Sequence, residues 1–71
     1  MLLSFHGRNY RTYDGIIRAA FRQYPDAVDV ACAPNDAGGH TLTIETPTQR
    51  YTYRTFPGEP FLRLKEAQHL T

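Results

Sequence analysis

The chain has 71 residues, 41% hydrophobic and 21% charged, and eight Lys+Arg against seven Asp+Glu leave a formal net charge of +1. That length suits one small α+β domain over 1–71 and leaves no room for a cofactor domain beside a substrate domain. The composition excludes disorder, the near-neutral balance excludes a strong basic field, and the lone cysteine, Cys32, excludes an internal disulfide framework.

The opening Met1-Leu2-Leu3-Ser4-Phe5 is apolar but shorter than the h-region of a signal peptide, and no apolar run approaches a membrane span. The expectation is a soluble, cytoplasmic protein with no membrane partner. Of the eight basic residues only Lys65 is not Arg, a usage that fits a GC-rich bacterial or phage genome.

The first twelve residues read as a tight hairpin. Centring it on Gly7-Arg8, with Gly7 at the first central position of a type II′ turn, sets Phe5 opposite Tyr10 and Leu3 opposite Thr12. A helix follows over 13–24, because Tyr13, Ile16, Ile17, Ala20, Phe21 and Tyr24 recur at one helical spacing. Thr12 or Asp14 can cap it, Asp14 and Arg18 stand at i, i+4, and Pro25 stops it.

The period then changes to two. Val28, Val30 and Cys32, then Leu42 and Ile44, then Tyr51 and Tyr53 alternate with smaller or polar residues. A turn at Pro47-Thr48 pairs Ile44 with Tyr51 and Leu42 with Tyr53 on one face. It pairs Glu45 with Arg50 and Thr43 with Thr52 on the other. Centring the Pro34–Gly39 loop near Asp36 pairs Val28 with Ile44, Val30 with Leu42, and Cys32 with His40. Last, Pro60 suits a helix start, and Phe61, Leu62, Leu64, Ala67 and Leu70 form an apolar stripe for a second helix. The expected order is therefore ββαβββα. It makes a three-stranded antiparallel meander with both helices on one face, and the N-terminal hairpin can extend the sheet.

Several constellations invite chemistry. A thiol beside an imidazole can be activated as a nucleophile, and the expected register makes Cys32 and His40 neighbours, but no third group orients them. Adding His6 and His69 would complete four zinc ligands, yet none of the short spacings of zinc sites is present. Gly38-Gly39 precedes a strand rather than a helix, so it offers no phosphate cradle. No catalytic residue, cofactor or metal is assigned. Arg8, Arg11, Arg18 and Arg22 on the strand–helix unit, with Arg50, Thr52 and Arg54 on the open sheet face, are the candidate partner-binding residues.

Over residues 13–70 the order helix, three strands, helix resembles that of double-stranded-RNA-binding domains and related small toxin folds. The resemblance implies duplex contact through a Lys-rich start to the second helix. This chain has Phe56-Pro57-Gly58-Glu59-Pro60 there, with no Lys before Lys65, so the binding function is not carried over.

The reading is a non-enzymatic interaction module for a protein partner, of the kind a phage or mobile element uses as an inhibitor or adaptor of a host complex. An open edge strand also admits a homodimer. The second reading is a duplex nucleic-acid-binding regulator that contacts phosphates through its arginines. A Cys/His enzyme stands third.

Overall fold

Thr12 starts the helix. Its extended backbone leaves the helical path and its Oγ1 accepts a 3.1 Å hydrogen bond from the Gly15 N–H, which satisfies one of the free N–H groups of the first turn. In this computed structural model, which describes residues 1–70, the elements are strands β1 (Leu3–Phe5) and β2 (Arg8–Tyr10) and helix α1 (Tyr13–Gln23). Strands β3 (Asp29–Pro34), β4 (His40–Glu45), β5 (Gln49–Arg54) and β6 (Arg63–His69) follow. The strands β3-β4-β5-β6 form one antiparallel sheet in that order, and β1-β2 form a separate hairpin rather than an extension of it. The coarse expectation of a small α+β domain stands; the finer order ββαβββα does not.

The expected second helix is the main correction. Residues Arg63–His69 are a strand, paired with β5 from Gln49↔His69 to Arg54↔Arg63, with a bulge opposite Thr52/Tyr53. Local propensity was a poor guide there, because Leu, Lys, Glu, Ala and Gln all favour helix. Two tertiary demands prevail. Strand β5 needs a partner for its outward N–H and C=O groups. The space a second helix would cover is already filled by the hairpin, whose Leu3 and Phe5 are buried with Leu62. Backbone bonds from Ser4 N–H to Pro60 O at 2.7 Å and from Leu62 N–H to Ser4 O at 2.9 Å tie β1 to that segment. With a strand in place of the helix, the resemblance to double-stranded-RNA-binding domains fails in its last element.

Two registers also differ. His6 and Gly7 both have positive φ, 49° and 77°, as a type I′ turn requires, so the hairpin centres on His6-Gly7 and pairs Leu3 with Tyr10 and Phe5 with Arg8. The β3–β4 loop runs over five residues, because Asn35 Oδ1 accepts from the N–H groups of both Ala37 and Gly39 at 3.0 Å. Val30 therefore faces Ile44, Cys32 faces Leu42, and His40 faces Pro34, while Val28 lies outside the strand and is exposed. Each correction moves the partner by two residues, so every side chain keeps its face. The β4–β5 register is as expected, including Glu45↔Arg50 and Thr43↔Thr52.

The core lies between one sheet face and the layer formed by α1 and the hairpin. It contains Leu3, Phe5, Ile16, Ala19, Ala20, Leu42, Ile44, Tyr53 and Leu62. Ala19 takes the place expected of Phe21, which is exposed. Tyr53 is shared by every layer: it faces Leu42 and Leu64 in the sheet, packs edge-on to Phe5 at 5.2 Å, and its hydroxyl meets that of Tyr24.

A close backbone approach holds the end of the sheet. At Gly39 a Cβ would stand 2.3 Å from Thr55 O, and Thr55 Oγ1 accepts from the His40 N–H at 2.8 Å. Gly39→Ala should therefore destabilise the fold by more than about 2 kcal/mol in urea unfolding, whereas Gly7→Ala, in open space, should cost only about 1 kcal/mol for its positive φ.

Candidate functional site

Strand β6 stands at one edge of the sheet, and all seven of its residues are exposed. The Leu70 N–H bonds to Thr48 O at 2.8 Å, which fixes the phase of the β5–β6 ladder. Antiparallel alternation then turns the main-chain groups of Glu66 and Gln68 toward β5 and those of Ala67 and His69 away from it. The outward groups have no strand partner among the described residues. On the helix side of β6, Leu64 is 50% exposed, beyond the cover that α1 and the hairpin give to β3–β5.

The other edge is less open to pairing. The bond from Thr55 N–H to His40 O at 3.0 Å sets the phase of β4, so Val30, Cys32 and Pro34 are the outward residues of β3. Pro34 has no N–H to give, and Cys32 is half-buried.

On the face away from the helix, the corner of the sheet at the start of β6 is cationic. Arg54 and Arg63 are cross-strand partners, an arrangement that costs energy unless something relieves the repulsion. Glu59 reaches Arg63 at 3.6 Å, and the Arg63 guanidinium lies 5.7 Å from the Phe61 ring centre. Lys65, the extra residue of the bulge, places its ammonium 4.6 Å from the ring centre of exposed Phe56. Arg54 and Lys65 share a cleft of about 520 Å³ with Asn35, Asp36, Thr41, Phe56 and Pro57. Neither cation has an ion-pair partner among the described residues. The cleft walls are pre-set by hydrogen bonds: Asn35 Nδ2 donates to Thr41 Oγ1 at 3.2 Å while its Oδ1 holds the loop.

The sequence-expected residues fall into separate groups. Arg50, Thr52 and Arg54 do lie on the open face, but Arg50 is engaged, donating from Nη2 and Nε to Glu45 Oε1 at 2.7 and 3.2 Å. Arg18 pairs with Asp14 at 3.3 Å on the exposed side of α1. Arg8 and Arg22 line a shallow hollow between hairpin and helix, and Arg11 is exposed at the turn before α1. The seven residues are therefore not one surface. Arg63 and Lys65 were missed because reading 60–70 as a helix took them off the sheet, and Phe56 with them because its role is to lie under Lys65. The signal that could have found them is the outward edge that a three-stranded meander leaves on β5.

The expected Cys32–His40 contact does not exist. Cys32 faces Leu42, and His40 Nδ1 is instead hydrogen-bonded to the Tyr13 hydroxyl at 2.7 Å. Burial pushes the Cys32 thiol up to about 11, against the opposing pull of a backbone hydrogen bond at Ala33. Among the described residues no three His, Cys, Asp or Glu side chains converge as metal ligands, and no helix is long and apolar enough to cross a membrane.

No protein-family model, curated protein or solved structure matches this chain. Its functional reading therefore rests on the site itself.

The raised thiol has two measurable consequences. Because its folded value lies above the ordinary value near 9, the stability gained by burying the neutral thiol is complete below about pH 9 and is lost as pH climbs through about 11. The stability gap between wild type and Cys32→Ala should therefore narrow over that window in urea titrations. Near pH 8.5 iodoacetamide should alkylate Cys32 about tenfold more slowly than an unhindered thiol.

Proposed function

We propose that this chain is a small interaction module that binds a protein partner by adding an extended segment of that partner to β6. The observation that carries the reading is the edge itself. A seven-residue strand, exposed along its whole length, presents outward N–H and C=O groups at Ala67 and His69. Strand addition satisfies such groups through main-chain hydrogen bonds, and side chains on alternate faces then select the sequence.

The bulge and Lys65 sharpen this reading. Both are devices by which natural sheets avoid indiscriminate edge pairing. An edge that carries them yet stays uncovered suits a selected partner better than an arbitrary second strand. The apolar Leu64 on one side and the cationic corner on the other give the two faces different selectivity.

Proline substitution tests the reading at the level of single N–H groups. Ala67→Pro removes only an outward donor and should leave the fold intact by circular dichroism. Gln68→Pro removes a ladder bond to β5 and should destabilise the domain. A partner that co-purifies stoichiometrically with tagged wild type should be lost with Ala67→Pro; its retention by that folded variant would contradict strand addition at β6.

A further inference from the structure

From the cationic corner at the Arg54 end of β6 we infer the chemistry of the added segment: an extended peptide with a carboxylate side chain between two apolar residues. The inference rests on the strand-addition reading and names what that strand must carry. Once a strand lies along β6, its residues alternate between the two faces of the extended sheet. Those on the helix side pass Leu64 and Ala67, where uncovered apolar surface asks for an apolar contact. Those on the other side pass Arg63 and Lys65, with Arg54 standing on the same face one strand further in.

Charge decides what can stand there. Arg63 and Lys65 on β6 and Arg54 on β5 form the cationic corner; Glu59 pairs with Arg63, and Asp36 lines the adjoining cleft with Arg54 and Lys65. Glu59 offsets part of the Arg54↔Arg63 repulsion, and a single added carboxylate would offset the rest while accepting hydrogen bonds from the guanidinium and ammonium groups there. The Phe61 ring lies under the Arg63 guanidinium and the Phe56 ring under the Lys65 ammonium, so each cation rests on an apolar surface. One step along β6, Glu66 stands on the same face opposite Thr52, and Glu45 already neutralises Arg50. The positive potential is therefore local. It suits one acidic side chain in a defined register and not a phosphate track, which needs cations at repeated intervals. The main-chain edge adds a second preference for peptide, since a nucleic-acid backbone cannot complete a β ladder.

The test uses the ¹⁵N-labelled full chain and end-blocked, solubility-tagged peptides in which Val alternates with Ser and one central Ser is Glu or Lys. A short single-stranded and a short duplex RNA serve as competing probes, all followed by amide shifts at low salt. The expected result is that the Glu peptide moves the amides of β6 and of Arg54, Phe56 and Lys65. It should bind about tenfold more tightly than the Lys peptide, the factor that a few exposed ion pairs can supply. Arg54→Glu combined with Lys65→Glu, both at exposed positions, should reverse that preference. Equal binding of both peptides along β6 would overturn the acidic selection while leaving strand addition standing. Binding of neither peptide would overturn both. RNA that shifts Arg54 and Lys65 more tightly than either peptide would assign the cleft to nucleic acid and overturn the inference.

Discussion

Tyr53 is the residue on which the arrangement depends. Its ring is 95% buried at the point where sheet, hairpin and helix end meet, edge-on to Phe5 at 5.2 Å. Its hydroxyl is hydrogen-bonded to that of Tyr24 and lies 3.4 Å from His6 Nε2, so the polar tip is satisfied although the ring is buried. Burial and the Tyr24 bond both raise the hydroxyl's pKa, so it stays neutral across the physiological range. Through these contacts the hairpin is clamped over β5, and that position excludes a second helix from the same face. With the helix excluded, the C-terminal segment pairs with β5 as a strand, and the sheet ends in an uncovered edge. The candidate binding surface is thus a consequence of how one tyrosine is packed.

This dependence explains why the molecule has a bare edge and a bare corner at the same end. The hairpin is short, and its three-residue strands cover β5 but do not reach β6. The side of β6 toward the helix layer keeps Leu64 in solvent, and the other side gathers Arg54, Arg63 and Lys65 without covering them. The loops that frame the cleft are fixed by Asn35 and by the Gly39–Thr55 approach, so its backbone frame is set before any ligand arrives.

Much of this was legible in the residues, and the failures have physical causes. Helix α1, its cap at Thr12 (one of two candidates) and the β4–β5 register could be read because local pattern and tertiary structure agree there, although Phe21 of the expected stripe is exposed. The hairpin register moved because its two-residue turn sits one position earlier, and the β3–β4 register because its loop is differently bounded. The positive φ of His6 sets the first and the side-chain bonds of Asn35 the second, and neither follows from alternation alone. Parity survived both shifts, so the division of the sheet into an apolar and an open face was right. The segment 60–70 was misread because its residues favour helix locally while the strand beside it demands a partner, a non-local condition. That single misreading hid two of the three cations of the corner. Arg54 was visible as a candidate; Arg63 and Lys65, which stand with it, were not.

The claim on which the whole account turns is that residues 63–69 form an edge strand whose outer main-chain groups are free. Backbone amide hydrogen exchange, read residue by residue in the free protein, tests it most directly. Slow exchange is expected at Glu66, Gln68 and Leu70, which face β5, and fast exchange at Ala67 and His69, which face outward. Uniform protection through this segment, as a helix would give, or uniformly fast exchange, as an unpaired tail would give, would contradict it.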